Sequence, residues 1–183
     1  LTVQQCGNVF RTNAASAHYG VNGKNIGCYV DEANTAWHCG NWGYNQRSIG
    51  IELANDQGAS GKWHVLTDEE TAIQLIADIC KRNGKKKLLW ISNKSKALNY
   101  VPKSDEMSLT VHRWFANKSC PGNWMYARMG DLASKVTAQL GGTEKEPEKT
   151  TGMQASAFAN LSEGDVIKKV GSLFTADQKK SGI

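Results

Sequence analysis

The stretch His112-Arg113-Trp114-Phe115-Ala116-Asn117-Lys118-Ser119-Cys120-Pro121-Gly122 sets an imidazole and a thiol within one short loop, close enough in sequence to fold onto a single ion. Imidazole nitrogen and thiolate sulfur both suit zinc. The bare pattern is weak, because any chain brings a histidine near a cysteine by chance. Packing or solvent roles stay open for both residues until other positions bear on them.

The elements that would position this loop can be read from periodicity. Ser108 to His112 reads as a short strand leading into it, and Met125 to Leu140, with Met129, Leu132, Ala133, Val136 and Leu140 apolar, reads as one helix packing on a sheet. Ser48-Ile49-Gly50-Ile51-Glu52-Leu53 reads as a buried central strand whose glycine lets other backbone approach, with Glu52 near its end. Val3, Cys6 and Phe10 have helical spacing, and His18 to Val30 reads as a hairpin on the turn Asn22-Gly23-Lys24-Asn25. Thr67-Asp68-Glu69-Glu70 is a capping-box signature ahead of Ala72, Leu75, Ile76 and Ile79, with Gly84 past the helix end. Lys85 to Lys87 read as a solvated charge run.

With 183 residues the chain can form one domain with a real core and something left over. The expected division is a main domain over 1–140, a linker over 141–156 that is poor in large apolar residues, and the start of a second unit over 157–183. No apolar run approaches the length that crosses a bilayer, so membrane insertion is not expected. A formal charge of +5 points to an acidic partner, which charge alone leaves open between nucleic acid and an anionic cell wall. Five cysteines without a C-x-x-C pair give no complete disulfide framework, and buried free thiols are the default for most. The first residues carry neither a signal-peptide pattern nor an initiator methionine, which reads as a fragment or a processed product.

Ser16-Ala17-His18-Tyr19, Ala36-Trp37-His38-Cys39-Gly40, Asn45, Ser48 to Leu53 and the His112 to Gly122 block occur in the order seen in the type-2 N-acetylmuramoyl-L-alanine amidases. That group includes phage lysozymes that are amidases and the peptidoglycan recognition proteins, and the resemblance runs from about Leu1 to Leu140. It implies an α/β fold, a mixed central β-sheet flanked by helices, with a Zn2+ ion in a cleft at one side of the sheet. His112 resembles the second histidine ligand and Cys120 the third ligand. The family's first histidine lies on a strand upstream of the opening helix, and none of His18, His38 or His64 matches it, so the resemblance implies a missing first strand. A catalytic zinc keeps one position open for water. Glu52 resembles the family's general base, and Lys118 the lysine that steadies the oxyanion. Some relatives use a tyrosine just before the histidine of the earlier strand, where this chain has Ala17, so the proton transfers fall to Glu52.

The resemblance further implies that His38 and Asn45 line the substrate side, with Trp37 either core or a platform for sugar or stem peptide. His18 reads as a structural histidine rather than a ligand. Residues Val166 to Ile183 resemble the opening of glucosaminidase-type domains. The implied activity is hydrolysis of the bond between N-acetylmuramic acid and L-alanine in peptidoglycan, by a secreted autolysin or a phage-released lysin working at the cell wall. The rival is a non-catalytic peptidoglycan-binding module on the same fold. A nucleic-acid-binding role has only the charge in its favour, and nucleic acid is not expected as a partner.

Overall fold

The computed structural model describes residues 1–55 and 67–141. His64, the expected linker beyond Gly141 and the expected unit over 157–183 lie outside the described residues. Helix α1 (Val3–Thr12) starts on a reciprocal cap: Gln5 N–H donates to Thr2 Oγ1 over 3.1 Å, and Thr2 N–H donates to Gln5 Oε1 over 2.8 Å. It packs on the hairpin of β1 (Tyr19–Asn22) and β2 (Asn25–Cys28), where Tyr29 donates its hydroxyl hydrogen to Val3 O over 2.9 Å. The hairpin pairs Tyr19 with Cys28 and Asn22 with Asn25, and Gly23 takes the turn at φ 55°.

A short helix α2 (Trp42–Asn45) precedes β3 (Ile51–Leu53), which lies parallel to β1 in the order β2-β1-β3. The expected central strand is therefore shorter than its apolar run and stands at a sheet edge. Helix α3 (Glu69–Arg82) is capped by Asp68, whose carboxylate accepts from Thr71 N–H, one residue later than the capping-box reading. Thr67 instead bridges Gly23 and donates its hydroxyl hydrogen to Ala54 O over 2.8 Å, so tertiary pairing moved the cap. Leu75 and Ile79 of α3 pack under Tyr19, Val21 and Ile26.

The second half carries β4 (Lys87–Leu89), α4 (Lys94–Asn99) and β5 (Glu106–Ser108), the two strands parallel, followed by a 3₁₀ turn at His112–Trp114. The strand expected over Ser108 to His112 thus begins and ends earlier, and His112 opens the turn. The single helix expected from Met125 is two, α5 (Asn123–Tyr126) and α6 (Met129–Gly141), because Arg128 N–H closes a tight bond to Met125 O at 2.8 Å between them. Helix α6 packs on α3 and β4, burying Leu132, Ala133 and Val136 beside Ile73, Ile76 and Leu88. Strands of three residues form few ladder bonds, whereas each fully buried aliphatic side chain contributes about 1.5–3 kcal/mol. The packing of α3 and α6 therefore holds the two small sheets in place. This is the expected mixed sheet flanked by helices. Among the described residues no helix is long and apolar enough to cross a membrane.

Candidate active site

Strand β3 borders a cleft of about 350 Å³, which the segment following β5 also lines. Ile51, Glu52 and Leu53 line one side, and Leu109, Thr110, Val111, His112, Phe115, Ser119 and Cys120 the other. On β3 the register decides which peptide groups are in use. Tyr19 N–H donates to Gly50 O and Ala54 N–H to Val21 O, so even-numbered residues turn their peptide groups to β1 and Ile51 and Leu53 turn theirs away. On β5, just before the cleft-lining Leu109, Ser108 Oγ is buried without a hydrogen-bond partner in the structure. The peptide groups of Ile51 and Leu53 therefore have hydrogen-bonding capacity left over, which a further strand laid beside β3 could satisfy.

His112 and Cys120 share one wall, and the connecting loop is held from inside. Arg113 donates from its backbone N–H and its Nε to Cys120 O, both at 3.2 Å, from one terminal nitrogen to Asn123 Oδ1 at 3.1 Å, and from the other to Ser119 O. Its guanidinium also lies 4.7 Å from the centre of the Tyr126 ring. The turn that carries His112 is pinned from behind by Trp114, which stacks on Trp90 with centroids 4.9 Å apart and donates Nε1–H to Tyr126 Oη over 3.3 Å. Sequence reasoning did not find the role of Arg113.

The electrostatics of the cleft follow from partial desolvation. Glu52 is open to the cleft but ringed by protein, and burial raises its carboxyl above the ordinary value. Burial also raises the Cys120 thiol, with a further push from the Glu52 charge. His112 is lowered, first by burial and then by Lys118, which keeps the ring neutral and able to offer a lone pair. Lys118 is exposed and stands beside the cleft rather than among the residues lining it.

The other sequence candidates divide. His38 lines the cleft, and its ring fills the space a side chain at Gly50 would need: a Cβ there would come within 2.3 Å of His38 Cγ. The glycine thus admits an imidazole rather than backbone. Ser48 donates to Tyr44 O at 2.5 Å, so at 3.3 Å its oxygen accepts from His38 Nε2. Asn45 is 4 % exposed and faces away from the cleft, its side-chain oxygen accepting from His38 N–H at 3.3 Å, Cys39 N–H at 3.0 Å and the Cys39 thiol at 3.0 Å. It shapes the turn that presents His38. Trp37 is 57 % exposed and is not core. His18 is buried and fully engaged, accepting from Gly50 N–H on Nδ1 at 3.0 Å and donating from Nε2 to Asn34 O at 3.1 Å, as a structural histidine should. Cys39 and Cys80 are buried free thiols, Cys6 and Cys28 half-buried, and Cys120 exposed.

The two imidazoles give a pH prediction. Burial lowers His18, and burial aided by His18 lowers His38 to about 4. Folded-state values below the unfolded one mean stability that is complete above about pH 6.5 and lost as pH falls towards 4. The raised Glu52 opposes this, since its folded form takes up a proton more readily. Urea unfolding at pH 7 and pH 4.5 should show a net loss, and a larger one in Glu52→Gln.

His112 and Cys120 are donors that suit zinc, and both face the cleft. They form a pair and not a full set: among the described residues no three His, Cys, Asp or Glu side chains stand close enough to hold a metal ion. Comparison with known proteins bears on the whole arrangement. A family model described as N-acetylmuramoyl-L-alanine amidase matches residues 2–123, two thirds of the chain, from α1 through the His112 to Cys120 loop. No curated protein and no solved structure matches it. A match that spans both walls of the cleft settles the lineage: the chain belongs to the N-acetylmuramoyl-L-alanine amidase family, whose kind of activity is amide cleavage in peptidoglycan.

Proposed function

We propose that this chain is catalytic and hydrolyses the amide between N-acetylmuramic acid and L-alanine, using zinc held by His112, Cys120 and a third ligand carried on a strand that enters the cleft between β3 and β5. The observation that carries the reading is the convergence of His112, Cys120 and Glu52 on one cleft beside the edge strand β3. When bound, zinc would supply Lewis acidity to the scissile carbonyl and to water. Glu52, whose raised pKa moves it closer to neutrality, takes the proton of the attacking water and returns it to the leaving amine. Lys118 offers positive charge to the developing oxyanion from the rim. Arg113 keeps Cys120 in place, Asn45 keeps His38 in place, and His38 with Trp37 meets the substrate.

The charge of +5 fits an anionic wall, and work at the cell wall, by a secreted autolysin or a phage-released lysin, follows from this substrate. A binding module without catalysis would need neither a proton carrier nor a thiol in the cleft. The test is incubation with purified peptidoglycan, by this chain and by a form extended upstream of Leu1, with zinc and after chelation. New alanine amino termini that need zinc support the reading, whereas wall binding without release by either form would replace it with the binding module.

A further inference from the structure

Two indole rings stand on the surface at the entrance to this site. Trp37 and Trp42 are 57 % and 54 % exposed, with ring centroids 5.4 Å apart and planes inclined by 55°. Tryptophan is the costliest side chain to leave in water, and among the described residues these are the exposed large aromatics. The backbone that carries each ring is fixed. Trp37 is tied to Ser16 by two hydrogen bonds, its N–H to Ser16 Oγ at 2.9 Å and its carbonyl from Ser16 N–H at 3.0 Å. Trp42 opens α2 under the Asn41 cap, and Tyr44 of that helix packs on Phe115 of the cleft wall with centroids 4.5 Å apart. The rings are thus continuous with the site through His38, Cys39 and Phe115.

We propose that Trp37 and Trp42 form a stacking platform for an N-acetylated sugar ring of the glycan strand, a deepening that rests on the peptidoglycan reading above. A pyranose presents a face of polarised C–H groups, which suits the electron-rich face of an indole, and a rim of hydroxyl and acetamido groups that needs polar neighbours. The segment supplies both: from Trp37 to Ser48 there is no aliphatic residue, and Asn41, Gln46 and Arg47 are exposed in the same stretch. An apolar peptide or a lipid chain would call for aliphatic area that this loop lacks. An indole has only two side-chain torsions to order and its backbone here is already fixed, so the contact loses little freedom on binding.

The experiment titrates the full chain with a peptide-free β-1,4-linked N-acetylglucosamine tetramer and, separately, with free stem peptide, by calorimetry. Trp42→Ala should weaken tetramer binding about fivefold to tenfold, the size expected for losing one ring contact, while Trp42→Phe recovers most of it. Near-ultraviolet circular dichroism checks that the exposed substitution leaves the fold intact. A parent chain that does not bind the tetramer, a Trp42→Ala variant that binds it as the parent does, or a loss confined to stem peptide would overturn the platform. Amide release from peptidoglycan is scored on the same preparations. Trp42-dependent sugar binding in a protein that cleaves no amide upholds the platform and removes the amidase reading, and cleavage with Trp42-independent sugar binding does the reverse.

Discussion

Glu52→Gln should lower kcat for peptidoglycan amide hydrolysis by about 10²–10⁴-fold, the range for loss of a positioned proton carrier, while leaving the thermal midpoint and wall binding close to the parent. Glutamine keeps the shape and the hydrogen-bonding reach of the side chain but neither takes nor gives a proton in the reaction. Glu52 points into the cleft from an edge strand and is exposed there, so its replacement disturbs little packing. The parent itself should lose activity on its acid side as Glu52 protonates, at a pH above the ordinary carboxylate value because burial raises the group. A second readout separates catalysis from structure: the Glu52 charge raises the Cys120 thiol, so Glu52→Gln should lower that thiol's titration midpoint. A variant with full activity, or one with an unmoved thiol, would remove Glu52 from the site.

The second large effect concerns the metal. With two candidate ligands in the described cleft, this chain should hold zinc weakly, and a form extended upstream of Leu1 should bind it more than about 100-fold tighter, because a third ligand exceeds the 10–100-fold worth of an outer-shell contact. His112→Ala and Cys120→Ser should each abolish that gain, measured by competition with a chelator of known affinity. Substituting cobalt gives a readout apart from activity: a thiolate-to-cobalt absorption band should be present in the extended parent and absent from Cys120→Ser. His38→Gln should change metal affinity little, since its Nε2 is directed to Ser48. Equal affinity in both forms would show that the third ligand does not enter through the cleft.

What was legible in the sequence was set by local chemistry. The helical spacing of Val3, Cys6 and Phe10, the Asn22-Gly23 turn and the apolar face of α3 specify their elements through contacts a few residues away, and they formed where expected. The misses come from partners distant in the chain. Thr67 is drawn out of its cap by Gly23 and Ala54, the Ser48 to Leu53 run is cut to three paired residues because among the described residues only β1 flanks it, and Gly50 exists for the ring of His38. In the site, His112, Cys120, Glu52 and His38 could be named from motif order and do face one cleft. Asn45 could be named but not understood, because its burial behind His38 and Cys39 depends on a loop geometry that spacing does not encode. Arg113 and Trp42 carry no periodic or motif signal, and only the folded loop shows what each one touches.

The most direct test of the central claim is mass spectrometry of the soluble products from purified peptidoglycan treated with the zinc-supplemented extended form. The account predicts stem peptides that begin with a free L-alanine amino group, together with sugar chains stripped of peptide and no new reducing ends. Soluble fragments in which muramic acid still carries its peptide, or an untouched wall with the protein bound to it, would contradict it.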